Sequence, residues 1–290
     1  MSDNGVVMKR LMVLLSLFTN VYADEVTTCF PKNDLKFYKE NKSIDGISEI
    51  ELASLISRVD RAMSPLVKDI TGKRLIINNK WNDPTVDANA TRDENLNPVV
   101  NIFGGLARHP LMTRDGLLLL ICHEVGHHLG GAPKSFRGNT TVRGWSSAEG
   151  ESDYFAATKC LPRIFQDGLE TKNLDFEIDT INMKNAFTKC KDDLCARIIL
   201  AGKAVSDVFA SIKKGNSSPS ILNNDPTIVD KTYYLHPNPQ CRLDTYIAGA
   251  RCEISLDLMF DNTDPKIGAC AINSTGARPQ CWYKENDFLN

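Results

Sequence analysis

The sequence predicts an α+β fold: a small mixed sheet between residues 74 and 103, then a buried helix, a helical second half and an irregular tail. Short apolar segments separated by Asn, Asp and Pro predict the strands. The uninterrupted apolar run at 117–122 predicts a helix in the core. Nine cysteines, all but one beyond residue 120, predict that disulfides hold the later part of the chain.

The first residues have the features of an export signal. Lys9 and Arg10 supply a positive start, residues 11–18 are apolar, and Ala23 ends a small-residue cleavage pattern. We therefore expect residues 1–23 to be a signal peptide and the mature chain to be periplasmic or secreted. The apolar stretch is shorter than the roughly 20 residues that span a bilayer, so we expect no stable membrane insertion. A formal charge of −2 without basic clusters disfavours a nucleic-acid partner.

The elements before the buried helix follow from their periodicity. Apolar residues at helical spacing in 48–64 predict an amphipathic helix, which Pro65 should end or kink. The period then changes, and three short segments predict strands at 74–79, 85–91 and 98–103.

The buried helix is expected to begin after Thr113 and to end at Gly130 and Gly131. The residues that follow, 134–147, are polar and contain glycine, which predicts a loop. A further helix is expected at about 148–161.

Helices near 194–213 and after Pro239 complete the predicted helical second half. Residues 24–251 are expected to form one domain. The Gly, Pro, Asn and Cys content of residues 252–290 predicts an irregular, disulfide-held tail packed on that domain.

Residues 123–127 read His-Glu-Val-Gly-His, the HExxH pattern, inside the predicted buried helix. Residues four apart share one face of a helix, so His123 and His127 can bind one ion, with Glu124 turned towards a metal-bound water. Zinc lowers the pKa of such a water from about 15.7 to about 7, which allows a carboxylate to deprotonate it. The alternative is a solvated His-Glu face, but buried His and Glu need partners, which a metal provides. The motif predicts a Zn2+ site with Glu124 as the catalytic base.

A third metal ligand is expected from the next helix. Pro133 stands where the longer HExxHxxGxxH pattern has its third histidine, so that pattern is excluded. Glu149 and Asp153 lie four apart at the start of the predicted helix, and we expect Glu149 to bind the metal while Asp153 orients a ligand imidazole. Ligation by Glu151 or Asp153 is an alternative. The plainer alternative is that these acids, Glu151 above all, stabilise the helix start through its dipole.

Two segments resemble a known family. EGESDYFA at 149–156 resembles the EYEAD-type segment of the gluzincin peptidases that include the CAAX prenyl protease, the HtpX-like heat-shock proteases and periplasmic outer-membrane-assembly proteases. HPNPQCRL at 236–243 resembles the late HPxPxxRL segment of the periplasmic members. The resemblance covers roughly residues 99–157 and this late segment. It implies a zincin-like fold and zinc-dependent endopeptidase activity, but no substrate class.

His236 and Arg242, in the second of these segments, are candidate catalytic residues. His236 would stabilise the oxyanion of the tetrahedral intermediate or cap the zinc in a resting state, with Arg242 holding the loop or the intermediate. Alternatively, His236 belongs to a turn before a helix, and Arg242 pairs with a surface acid. We expect the other two histidines, His109 and His128, to be structural.

These observations predict an exported zinc metallopeptidase that hydrolyses peptide bonds with a Glu-activated water. A peptide or protein substrate would add as a further strand to an edge strand at Pro98–Phe103. Two alternatives stay open. One is a non-catalytic envelope or extracellular protein that keeps zinc for stability and binds polypeptides, and the other is a zinc hydrolase that acts on cell-wall amides.

The odd number of cysteines leaves at least one unpaired or intermolecular. We expect the free thiol to be Cys122, a small buried side chain in an apolar helix. A helix after Pro239 would hold Cys241 and Cys252 about 16 Å apart, beyond the roughly 7 Å limit for bridged Cα atoms. These two should therefore pair elsewhere, with Cys29 and Cys160, beside the local bridges Cys190–Cys195 and Cys270–Cys281.

Overall fold

The computed structural model describes residues 27–40, 46–136, 141–166, 180–212, 217–285 and 287. The predicted signal peptide, 1–23, lies outside these residues. Within them the chain is a mixed α+β protein with a small sheet, a two-stranded hairpin and a helical second half. No helix of the described residues is long and apolar enough to cross a membrane.

The sheet has four strands, in the order β1-β3-β4-β2. They are β1 (Thr27–Thr28), β2 (Ile76–Lys80), β3 (Ala88–Arg92) and β4 (Pro98–Phe103). β4 runs parallel to β2 and antiparallel to β3, so the sheet is mixed, as expected.

The expectation that Pro98–Phe103 is an edge strand is wrong. β4 pairs along its whole length with β2 on one side and with β3 on the other. Its first five residues are buried, which is typical of a strand covered on both faces. The edges of the sheet are β1 and β2.

The first helix, α1 (Glu49–Thr71), begins with a capping box between Ser48 and Glu51. Pro65 lies inside α1 and does not end it, contrary to one of the two expectations. A proline in a helix removes one hydrogen bond. The buried face of α1 continues past Pro65 to Val67, so burial of the last turns offsets that loss.

A short helix, α2 (Gly104–Ala107), follows β4 and leads to α3 (Arg114–Leu129), which matches the predicted buried helix. The Thr113 side chain accepts a hydrogen bond from the Gly116 N–H and caps α3. Every residue of α3 from Gly116 onwards is buried. The polar residues of the HExxH motif therefore lie in the core.

The predicted loop at 134–147 contains an antiparallel hairpin of β5 (Lys134–Phe136) and β6 (Arg143–Ser147). The predicted helix at 148–161 consists of α4 (Glu149–Phe155) and a π-helical turn, Ala156–Cys160, which continues into α5 (Leu161–Gln166). Three helices follow: α6 (Thr180–Lys189), α7 (Asp193–Ile212) and α8 (Pro239–Ala250). They form the helical second half that the periodicity predicted.

The described residues contain four disulfides: Cys122–Cys160, Cys190–Cys195, Cys241–Cys281 and Cys252–Cys270. Cys190–Cys195 was expected. Cys241 and Cys252 do not pair with each other, as the helix geometry predicts. The expectation that they pair with Cys29 and Cys160 is wrong, and so is the expected Cys270–Cys281 bridge.

The expectation of a free thiol at Cys122 is also wrong, because Cys122 pairs with Cys160 and the free thiol is Cys29. The π-helical turn packs against α3 and brings the Cα atoms of Cys122 and Cys160 to 5.6 Å. Beyond residue 252 the described tail forms neither helix nor strand. Cys241–Cys281 and Cys252–Cys270 hold it against the rest of the chain.

Candidate metal centre

The helices α3 and α4 approach each other closely at a glycine of the HExxH motif. A Cβ atom on Gly126 would lie 2.9 Å from both the Cα and the carbonyl oxygen of Ser152, closer than real Cβ contacts allow. A side chain at this position would therefore push α4 away. Glycine here lets the first turn of α4, with Glu149, reach the histidines of α3.

His123, His127 and Glu149 form one buried cluster. Glu149 Oε2 lies 3.3 Å from His123 Nε2, and Glu149 Oε1 lies 3.6 Å from His127 Nε2. Ligand atoms about 2.0–2.1 Å from one tetrahedral zinc are about 3.3 Å from each other, so these separations fit a shared ion.

Three polar atoms of this cluster lack hydrogen-bond partners among the described residues. His123 Nε2, His127 Nε2 and Glu149 Oε2 are all buried and unpaired in this way. Buried polar atoms in proteins are nearly always bonded. Two imidazoles and a carboxylate are also the donor set that catalytic zinc sites use, so the residues present fit the predicted metal.

The outer nitrogen of each imidazole is held by an acceptor. His123 Nδ1 donates to Asp153 Oδ1 at 2.7 Å, and His127 Nδ1 donates to the carbonyl oxygen of Ser147 at 3.0 Å. A carboxylate or carbonyl oxygen only accepts, so Nδ1 carries a proton in both rings and Nε2 is the nitrogen that a metal would bind. This arrangement orients metal-binding histidines and raises their basicity.

Burial and nearby charges set the protonation of the cluster. Burial lowers the pKa of His127 to about 4, which keeps this imidazole in the neutral form that a metal binds. Burial opposes ionisation of Glu149, but His236 and His127 outweigh it and hold the pKa of Glu149 below its usual range. Burial also opposes the charged form of His123, but Cys29 and Asp153 outweigh it and raise the pKa of His123 well above 6.5. A metal must therefore compete with a proton at His123.

Glu124 lies beside the three-residue cluster without belonging to it. Both of its carboxylate oxygens are buried and lack a hydrogen-bond partner among the described residues. Burial raises the pKa of Glu124 well above its ordinary value, and the nearby Glu149 adds to the shift. A buried carboxylate with a raised pKa next to a metal-ligand set is typical of a catalytic base.

Arg242 contacts the acid that holds His123. Asp153 Oδ1 accepts hydrogen bonds from Arg242 Nη2 and from the Tyr246 hydroxyl, both at 2.6 Å, in addition to the one from His123. Arg242 is fully buried, so the alternative of pairing with a surface acid is wrong. Burial opposes ionisation of Asp153, but Arg242 and His123 lower its pKa, so it is a charged acceptor. Arg242 therefore fixes the orientation of His123 through Asp153.

His236 lies at the rim of the cluster, in the turn before α8. Its Nε2 is 3.5 Å from Glu149 Oε2 and 2.8 Å from the carbonyl oxygen of Thr28, to which it donates. The side chain is 22% exposed. The structure thus brings His236 next to the predicted ligands, although it is not one of the three residues that converge there.

Glu151 faces away from the cluster, towards the tail. It is buried and accepts two hydrogen bonds of 2.6 Å from Arg278. Burial raises the pKa of Glu151 to about 7, against the effect of Arg278. Glu151 is therefore not one of the residues that converge on the predicted metal, and it lies in the first turn of α4, as the helix-start alternative expects. It ties the tail to α4.

The other two histidines have structural contacts, as expected. His109 Nε2 lies 3.2 Å from the Ser211 hydroxyl, and burial lowers the pKa of His109 to about 4. His128 stacks on Trp145 with ring centroids 4.6 Å apart.

Sequence reasoning missed Cys29. Its thiol is fully buried, and it forms a second group with His123 and Glu124 in which all three potential ligand atoms lie within 4.8 Å of one another. The odd cysteine count indicated a free thiol, but nothing local to Cys29 indicated its place. Burial raises the pKa of Cys29 to about 12, so the group is a neutral thiol unless a metal deprotonates it.

Comparison of the chain with protein-family models, with curated proteins and with solved structures found no match. The function of this chain therefore has to be inferred from its sequence and its site.

Proposed function

We propose that this chain is an exported zinc-dependent peptidase. The observation that supports it best is the buried cluster of His123, His127 and Glu149, in which both Nε2 atoms and Glu149 Oε2 have no hydrogen-bond partner among the described residues. Glu124 lies beside this cluster and does not belong to it. A purely structural zinc site is closed by four protein ligands, whereas a catalytic site combines three with a position for water. The predicted signal peptide, the four disulfides and the resemblance to gluzincin peptidases agree with export and with this class.

Each residue of the site has a role in the proposed reaction. When bound, zinc supplies Lewis acidity that polarises a substrate carbonyl and acidifies water. Glu124 accepts the proton of the attacking water and delivers it to the nitrogen of the leaving amine, so the proton is conserved. His236 donates its Nε2–H to the oxygen on which negative charge develops. Asp153, held by Arg242, keeps His123 in its ligating orientation.

The test compares zinc content and hydrolysis in the native protein and in Glu124→Gln. A library of internally quenched peptides reports cleavage without a known substrate. The pair is also measured in a Cys29→Ser background, because the Cys29 thiol lies beside Glu124. Glu124→Gln should keep one zinc per chain and lose about a hundredfold to ten-thousandfold in turnover, the usual contribution of a general base. Equal hydrolysis with glutamine at 124 would overturn the mechanism, and a chain that binds no zinc would overturn the proposal.

A further inference from the structure

Residues 27–30 lie along the outer edge of the sheet as an added strand. β1 pairs antiparallel with β3, with Thr27 opposite Ala90 and Thr28 opposite Asn89. The Cys29 N–H continues this pairing by donating to the carbonyl oxygen of Ala88 at 2.9 Å. Main-chain pairing of this kind is how an extended peptide adds to a sheet edge. The segment therefore occupies the edge of β3 that a substrate peptide would need.

The carbonyl groups of this segment are bound by the two side chains that the sequence predicted to act on a substrate carbonyl. His236 Nε2 donates to Thr28 O at 2.8 Å, and Arg242 Nη1 donates to Cys29 O at 3.3 Å. A substrate backbone at this edge would present the same carbonyl groups to the same donors. Residues 27–30 thus make the contacts of a bound peptide.

The Cys29 side chain lies beside the metal cluster, next to His123 and Glu124. Its Sγ lies within 4.8 Å of a ligand nitrogen of His123 and of a carboxylate oxygen of Glu124. His123 Nε2 and both oxygens of Glu124 are buried and unpaired within the described part of the chain, so these atoms are free to bind a further group beside the thiol. A thiolate and an imidazole on one tetrahedral zinc are about 3.5 Å apart, so the thiol can share the ion of His123 once it moves towards His127 and Glu149.

The next residue anchors the segment. Phe30 is 1% exposed and stacks on Phe209, with ring centroids 4.3 Å apart. Arg242 lies over the same Phe209 ring, with its guanidinium carbon 3.7 Å from the centroid. A segment fixed in this way does not leave the edge of β3 on dilution, because it belongs to the same chain and its effective concentration is high.

We infer that residues 27–30 are an internal pseudosubstrate and that the Cys29 thiolate is a fourth zinc ligand, which together keep the enzyme latent until the segment is displaced from β3. This inference rests on the proposed function. As the zinc–sulfur bond forms, the thiol proton passes to solvent, and the position that water requires is filled. Displacement of the segment restores both the water position and the free edge of β3.

The test uses the mature chain with Co2+ in place of zinc, because a thiolate bound to Co2+ gives a charge-transfer band in the near ultraviolet. The native protein should show this band, and Cys29→Ser should lack it while still binding one cobalt. The zinc form of Cys29→Ser should hydrolyse peptides faster than the native protein, since more molecules have an open coordination position. Lys32→Ala, an exposed position three residues further along, is the matched control and should keep both the band and the native rate.

The outcomes separate the inference from the proposed function. Cobalt bound by the native protein without the band would overturn the inference and leave the peptidase proposal standing, and this measurement needs no variant to fold. Cys29→Ser and Cys29→Ala that fold but bind no metal and cleave nothing would instead indicate a four-ligand structural zinc, and the proposed function would fail. A variant that loses the band and gains hydrolysis supports both.

Discussion

Glu149→Gln and Glu151→Gln, two residues apart on the same turn of α4, are expected to change different properties of the protein. Glu149 faces His123 and His127, whereas Glu151 pairs with Arg278 of the tail. The two substitutions keep side-chain volume and remove one negative charge each. A difference between them therefore reports what each carboxylate contacts.

The magnitude for Glu151→Gln follows from the pair that it breaks. Both side chains are buried, at 0% exposure for Glu151 and 4% for Arg278, and two hydrogen bonds of 2.6 Å join them. Glutamine leaves Arg278 as an uncompensated buried charge, which costs about 3–5 kcal/mol. For a chain of this size that corresponds to a fall in Tm of roughly 6–20 °C. Zinc affinity should change little.

Glu149→Gln should have the opposite effect. The nitrogens nearest to the Glu149 carboxylate lie at 3.3–3.9 Å, whereas Arg278 binds Glu151 through two bonds of 2.6 Å, so the metal-free fold should lose less stability in Glu149→Gln than in Glu151→Gln. The zinc site loses the carboxylate of its three-residue ligand set, and affinity should fall by more than the roughly 10- to 100-fold typical of changes to residues that merely support a ligand.

Thermal unfolding is measured in the presence of a chelator, because bound zinc would itself stabilise the folded state. Zinc affinity is measured separately by competition with a chromophoric chelator. Loss of zinc in Glu151→Gln, or a larger loss of stability in Glu149→Gln than in Glu151→Gln with the chelator present, would contradict these assignments.

Three further predictions concern His236, the disulfides and His109. In the Cys29→Ser background, His236→Ala should lower turnover about a hundredfold with zinc content unchanged, because it removes a donor to the developing oxyanion. An unchanged rate would mean that His236 only contacts Thr28 and does not act on the substrate. Replacing both cysteines of Cys122–Cys160, which are 38 residues apart, should cost about 4 kcal/mol in denaturant unfolding, against about 2 kcal/mol for Cys190–Cys195, and an equal cost would contradict the loop-length argument. Burial lowers the pKa of His109 to about 4, so the unfolded chain binds a proton that the folded chain does not as pH falls from 6.5 to 4. About 2–3 kcal/mol of stability should be lost over that window, and His109→Gln should reduce the loss, as pH-dependent unfolding would show.

The elements of this protein could be predicted where the signal is local. The limits of α3 follow from the Thr113 cap and the glycines after Leu129, and the apolar run at 117–122 places the helix in the core. The periodicity of the helix places His123 and His127 on one face. Glu149 and Asp153, four residues apart on α4, also share a face, so Glu149 joins the cluster and Asp153 accepts a hydrogen bond from His123. These features depend on residues within one or two turns of each other.

The errors concern partners that are distant in the sequence. Whether β4 is an edge or an interior strand depends on β2 and β3, and the apolar pattern of 98–103 fits either position. Cys122 meets Cys160 only because the π-helical turn packs on α3, and Cys29 reaches His123 only because β1 pairs with β3. The role of Glu151 depends on Arg278, more than a hundred residues later. Cysteine count and charge pattern cannot select such partners.

Anomalous diffraction from crystals of the zinc-loaded protein, recorded on both sides of the zinc absorption edge, tests the predicted metal site most directly. We expect one strong anomalous peak between the three residues of the cluster, about 2.0–2.1 Å from His123 Nε2 and His127 Nε2 and about 2.0–2.2 Å from a carboxylate oxygen of Glu149. Zinc absent from this cluster, or held at another position with these three residues unbound, would contradict the proposed metal centre and the peptidase function that depends on it.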